Sequence, residues 1–247
     1  MHRRLANSCF ALAALVLLLG LARGGGEAPR NRIPRTLRML SSALVWTGAL
    51  ILWRGAAGEA RARAGLAAAG MGFGLLGDLI MAKVVPTPNQ VIFGMLAFGA
   101  GHAQYMRAAG RLAQTDGGRR TTDDGPQTFH SAAHTRWPAG ALVASGVVGA
   151  AGWRALAYGP AQPVAVNAAS LAYALLLSSM AGVGASLATH DARHAPLAVG
   201  GALFFLSDLI LAGELFRELF FPHIGDTVWL TYLAGQGLIV AGLNEEG

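Results

Sequence analysis

Apolar residues gather in eight long blocks along this chain, broken by short stretches of Gly, Pro, Arg and Asp. The pattern predicts helical spans over 5–22, 36–53, 64–84, 89–109, 136–157, 163–188, 195–216 and 226–243. A hydrocarbon core about 30 Å thick takes about 20 residues of helix to cross, so each block is close to spanning length. The connections carry turn chemistry: Gly24-Gly25-Gly26 with Pro29 and Pro34, Gly58 with Arg61 and Arg63, and Pro86-Thr87-Pro88. The longest connection, 111–135, holds Asp116, Gly117, Gly118, Asp123, Asp124, Gly125 and Pro126 with no apolar period. It reads as a disordered link between halves 5–109 and 136–243 of one polytopic domain covering 1–247. The expected fold class is an all-α membrane protein of about eight transmembrane helices.

Composition agrees with the pattern. Hydrophobic residues make up 53% of the 247 residues, charged residues 13%, and mean hydropathy is +0.45. These values leave no room for a sizeable soluble domain. The net charge of +6 could suggest a nucleic-acid partner, but the basic residues sit at the ends of apolar blocks, where lipid headgroups account for them better. No nucleic-acid partner is expected. Cys9 is the only cysteine, so neither an intramolecular disulfide nor a cysteine-based metal site is available.

One pattern occurs twice: Gly77-Asp78-Leu79-Ile80-Met81-Ala82 and Ser207-Asp208-Leu209-Ile210-Leu211-Ala212. A carboxylate near mid-membrane costs about 2.5–3.5 kcal/mol even on lenient insertion scales, so two in matching positions call for a function. Aligning the halves on the aspartates pairs the third span with the seventh. It also pairs the fourth with the eighth, where Ala100-Gly101-His102 faces Ala234-Gly235-Gln236. Four spans per half is an even number, so the halves would be parallel repeats. Asp78 and Asp208 are then expected at similar depth, several turns inside the helix ends. Apolar surroundings let one carboxyl keep its proton while the other ionises, which supplies a general acid and a carboxylate to one substrate.

Other polar residues sit where they could join this pair. His102 lies near the end of the fourth span beside Gly99 and Gly101, as a proton relay, a phosphate ligand or a packing histidine. Tyr105, Asn89, Tyr173, Ser207, Tyr232 and Gln236 are candidates for substrate binding or support, and Asn167 could line the same cavity. Lys83 is placed to snorkel to the headgroups. The turn His190, Asp191, Arg193 and His194 reads as a charged loop, and no metal site is expected.

Excess Lys and Arg favours an N-terminus on the cytoplasmic side of the cell (inner) membrane, against an opposing cluster of Arg23, Arg30, Arg32, Arg35 and Arg38. Arg3 and Arg4 before the apolar run 11–21 look like a secretory signal, but a retained first helix completes the repeat and is preferred.

At these residues the chain resembles the YhhN-type membrane family, which includes the transmembrane lysoplasmalogenases. The matching stretches are Gly77-Asp78, Gly101-His102 with Tyr105, Phe204-Phe205-Leu206-Ser207-Asp208, and Thr231-Tyr232-Leu233-Ala234-Gly235-Gln236. Members commonly open the second span with Lys-Pro, where this chain has Arg35-Thr36, and Arg35 keeps the charge.

The resemblance implies an eight-helix hydrolase that cleaves the vinyl ether bond of lysoplasmalogens to a fatty aldehyde and a glycerophospho-headgroup. The substrate is an amphipathic lipid, and no metal or organic cofactor is required. Vinyl ether hydrolysis begins with protonation of the outer alkene carbon, a step for a well-placed acid. Asp78 as acid and Asp208 as stabiliser or base fit that chemistry, with His102 and Tyr105 orienting the headgroup or relaying protons. The competing reading is a proton-coupled transporter of lipid or small molecules built on the same aspartates. Oligomeric state is not legible.

Overall fold

The computed structural model describes residues 1–123 and 139–245, with side chains described except at 116–123 and 139. Among the described residues there are eight α-helices and no strand. They are α1 (His2–Arg23), α2 (Arg35–Gly55), α3 (Gly58–Met81), α4 (Gln90–Asp123), α5 (Ala139–Gly152), α6 (Val164–His190), α7 (Ala195–Arg217) and α8 (Ile224–Leu243). A π-helical turn, Trp153–Ala157, continues α5, and a short 3-10 turn, Ala192–His194, precedes α7. Six of these helices are long and apolar enough to cross a membrane. The two less apolar ones, α4 and α8, carry His102, Gln104 and Arg107, and Asp226, Tyr232 and Gln236. The chain is an integral membrane protein.

Helix ends follow local chemistry. Pro34 and Pro163 stand immediately before α2 and α6, and Pro196 lies in the first turn of α7, where a missing N–H costs nothing. At the end of α3 the side-chain amide of Gln90 donates to the carbonyls of Ile80 (2.8 Å) and Met81 (2.6 Å). Lys83 then turns the chain at φ 58°. Asp78 therefore stands three residues from the end of α3, less than one turn, not several turns inside it. Asp208 lies deeper within its own helix, because α7 runs on to Arg217.

The fourth helix also departs from expectation. It does not stop near 109 but continues to Asp123. Leu112 is buried, and Arg111 pairs with Glu59 of α3 at 3.0 Å, so tertiary contacts carry the helix into the expected link. The rest of that link, 124–135, lies outside the described residues.

Packing repeats in order. In the first half α1 packs on α2, α2 on α3 and α3 on α4; in the second α5 packs on α6, α6 on α7 and α7 on α8. The halves meet where α4 packs on α6 and where α8 touches α2 and α3. Within each half one pair of helices crosses at glycines. A Cβ on Gly101 would lie 2.7 Å from the carbonyl oxygen of Gly70, and one on Gly200 would lie 2.8 Å from that of Gly235. Both positions fall in register with the aspartate alignment, since Gly70 and Gly200 each precede their aspartate by eight residues. A neighbouring backbone can approach this closely because the glycine presents no side chain to it.

The connection between α1 and α2 is tied to the start of α8. The Asp226 carboxylate accepts from the backbone N–H groups of Arg32 (2.6 Å) and Ile33 (3.0 Å). The backbone N–H groups of His223 and Gly225 donate to the carbonyls of Pro29 and Arg30. This strap crosses the end of the bundle next to Asp78.

Candidate active site

Asp78 and Asp208 line one cavity of about 320 Å³. It lies between α2 and α3 on one side and α7 and α8 on the other, with Phe98 of α4 and Tyr232 and Trp229 of α8 in its wall. The two aspartates are thus brought together from opposite halves of the chain.

Asp78 is buried and takes both of its hydrogen bonds on Oδ2, from Ser42 of α2 and from Tyr232 of α8, the latter at 2.9 Å. Asp208 is partly buried. Its Oδ2 accepts from Tyr173 of α6, and its Oδ1 lies 3.2 Å from the Ser207 hydroxyl, which also donates to the Phe204 carbonyl at 2.7 Å. Each carboxyl is therefore held by a tyrosine from a different helix, while Oδ1 of Asp78 has no hydrogen-bond donor among the described residues.

Behind Tyr232 the polar chain continues. Gln236 donates to the Tyr232 hydroxyl (3.3 Å) and accepts from Tyr105 of α4 (2.6 Å). All three are buried. His102 packs edge-on against Phe204, ring centres 4.2 Å apart, and against Tyr105 at 5.7 Å. Its two ring nitrogens are buried with no hydrogen-bond partner among the described residues. It stands behind the cavity wall and is not among the residues lining the cavity.

Asn89 is not gathered into the site. It is exposed, and its side chain accepts from the backbone N–H of Ile92 at the start of α4. Asn167 bonds the backbone of Gly159 and holds the turn before α6.

One end of the cavity is cationic. Arg30, Arg35, Arg38 and Lys83 line it together with Glu27. Arg30 is committed to a bidentate ion pair with Glu214 of α7, and that hydrogen bonding raises the guanidinium above its ordinary value. Arg38 donates to Asn31 (3.3 Å) and lies 5.9 Å from the centre of the Trp229 ring. Arg35 and Lys83 are exposed. Three of the arginines that weigh against a cytoplasmic N-terminus, Arg30, Arg35 and Arg38, thus line the cavity mouth.

The other side is apolar. A groove lined by Val91, Met95, Trp153, Ala157, Leu209 and Phe216 meets the cavity at Met81, Phe98, Asp208 and Leu211, which belong to both. The π turn shapes this groove, and the Trp153 indole is fixed by donating to Ser170 at 3.0 Å. Such insertions recur at functional sites, because the wider turn redirects side chains.

Several of these residues escape sequence reasoning. Ser42 has a visible signal, since Ser41-Ser42 is a polar pair inside an apolar block. The role of Arg38 is hidden because an arginine near a helix start reads as a headgroup contact. The π turn leaves no mark in composition.

A family model described as the YhhN family matches residues 35–243, most of the chain and all of the site helices. The chain belongs to that family. No curated protein matches it, and no solved structure matches it.

Proposed function

We propose that this chain, as a member of the YhhN family, is a membrane-embedded hydrolase that cleaves the vinyl ether bond of lysoplasmalogen-type lipids. The observation that carries this reading is the three-part cavity: cations at one end, two carboxyls in the middle and an apolar groove beyond. A lysolipid has the same order of parts. Its phosphate would meet Arg35, Arg38 and Lys83, its single chain would lie in the groove, and its ether linkage would fall beside Asp78 and Asp208.

The chemistry follows from the donors. Asp78 carries a proton on Oδ1 and delivers it to the outer alkene carbon, while an ether-oxygen lone pair forms the oxocarbenium ion. Asp208, as carboxylate, offsets that charge and removes a proton from the water that adds to it. In the resulting hemiacetal, Asp208 returns its proton to the departing glyceryl oxygen and Asp78 takes the hydroxyl proton. The carbon–oxygen bond breaks, aldehyde and glycerophospho-headgroup leave, and both carboxyls return to their starting forms. Tyr173 holds Asp208 toward the substrate, and Ser42 with Tyr232 does the same for Asp78.

Assigning Arg30, Arg35, Arg38 and Lys83 to the cavity mouth leaves Arg23, Arg32, Arg154 and Arg217 on that side. The remaining basic residues then favour a cytoplasmic N-terminus in the cell (inner) membrane, with the cavity opening on the opposite face. The test is aldehyde release from a vinyl ether lysophospholipid by purified protein in detergent, beside Asp78→Asn and Asp208→Asn. Turnover lost in both variants is expected. A folded protein without turnover on ethanolamine and choline lipids would leave the aspartates to a proton-coupled carrier.

A further inference from the structure

The hydrogen-bond chain Tyr105–Gln236–Tyr232–Asp78 has two possible polarities. In one, every hydroxyl and amide donates toward Asp78. In the other, the Gln236 amide is turned over, Tyr232 donates to Gln236, and an acid proton on Asp78 Oδ2 is spent on Tyr232. The heavy-atom positions are compatible with both, so the choice falls to the group at the head of the chain.

That group is Tyr105. It is 1% exposed, and its hydroxyl has a single hydrogen-bond partner among the described residues, Oε1 of Gln236 at 2.6 Å. In the first polarity Tyr105 donates its proton and is satisfied. In the second it accepts from Gln236, and its own proton is left buried without an acceptor, a loss of about 1–3 kcal/mol. His102 gives it no alternative, since the two rings meet edge to face with no hydrogen bond between them.

We infer that Tyr105 and Gln236 are positioning residues that orient the whole chain toward Asp78 and thereby hold its transferable proton on Oδ1. With Ser42 and Tyr232 both donating to Oδ2, that oxygen acts as the carbonyl acceptor and Oδ1 is the hydroxyl. The arrangement rests on the reading of Asp78 as the acid. It gives the buried glutamine and tyrosine, both remote from the substrate, a part in the protonation step. The pattern is not repeated at Asp208, where Phe98 of α4 occupies the place that Tyr232 of α8 takes in the other half, and Phe98 has no hydroxyl.

The test is Tyr105→Phe, which deletes one oxygen behind the cavity wall and touches no lining residue. The carbonyl stretch of the protonated Asp78 carboxyl is read by infrared difference spectroscopy and assigned by its absence in Asp78→Asn. In the wild type the carbonyl oxygen accepts two hydrogen bonds. In Tyr105→Phe the chain is free to reverse, the carbonyl becomes Oδ1 without a protein donor, and the band moves to higher frequency. Aldehyde release is expected to fall about tenfold in kcat with KM unchanged, because only the position of the proton has moved. An unshifted band, or no band that disappears in Asp78→Asn, overturns the inference. A shifted band in a protein that releases no aldehyde keeps the inference about the chain and overturns the hydrolase reading instead. Should Tyr105→Phe fail to fold, Tyr232→Phe removes one of the two donors to the Oδ2 carbonyl and is expected to move the band to higher frequency; an unshifted band there shows that Tyr232 does not donate to that carbonyl and overturns the inference.

Discussion

Tyr232, in the last helix, donates to Oδ2 of Asp78, in the third, across 2.9 Å in a buried setting. The two residues are 154 positions apart in the chain, so this bond forms only when the halves have assembled. Tyr232→Phe is expected to lower stability by about 1 kcal/mol and to reduce kcat more than it raises KM, since the acid loses one of its two donors. Ser42→Ala removes the other donor with a similar effect, and the double variant loses more than either alone. Thermal melting and aldehyde release measured on the same preparations check this.

Asp78→Asn and Asp208→Asn remove proton-transfer groups while keeping size and polarity. Each is expected to lower kcat by at least about 100-fold. Because each amide can still take part in the existing hydrogen bonds, melting temperature should move little. A variant of either kind that retains wild-type turnover would exclude that carboxyl from the chemistry.

Lys83 and Arg35 are exposed at the cavity mouth and take no part in an ion pair among the described residues. Lys83→Ala is expected to raise KM several-fold for a phosphate-bearing lysolipid and to leave kcat unchanged, the signature of lost ground-state binding. Added salt should weaken wild-type binding and narrow the gap to the variant, because exposed charges are screened. Arg38→Ala should be worse, as Arg38 also packs on Trp229 and bonds Asn31.

The glycine crossings predict a contrast within one helix. A Cβ at Gly235 would lie 2.9 Å from both the Gly200 carbonyl oxygen and the Phe204 backbone nitrogen, so Gly235→Ala must push α7 and α8 apart. A loss of about 1–3 kcal/mol is expected. Gly237, two residues along, has nothing within 4 Å of such a Cβ, and Gly237→Ala should be neutral or slightly stabilising. Melting in detergent distinguishes the two.

Asp226 holds the strap between α1 and α2 through two backbone N–H groups. Asp226→Ala leaves both donors without their acceptor and is expected to cost about 1–3 kcal/mol. Because the strap carries Glu27 and Arg30 to the cavity mouth, KM should rise as well. Protection of the 27–33 amides from hydrogen exchange should fall in the variant.

Much of this protein is determined along the chain. Its spans are legible because a membrane selects helices by length and apolarity alone, properties that each segment has by itself. The repeated Gly-Asp and Ser-Asp pattern is legible for the same reason, since a carboxyl in an apolar block is anomalous wherever its partner lies. The tertiary structure decided the rest. Ser42 became a partner of Asp78, Asp226 became the anchor of a distant loop, and Arg30, Arg35 and Arg38 became part of the cavity lining. It also drew α4 beyond its apolar block and turned His102 away from the cavity between Phe204 and Tyr105. Those assignments depend on which faces of α2, α4, α7 and α8 meet, and hydropathy carries no record of a helix's neighbours. Depth followed the same division: the sequence places both aspartates in apolar blocks, but only the packing of α8 on α2 and α3 and of α4 on α6 brings them to one cavity.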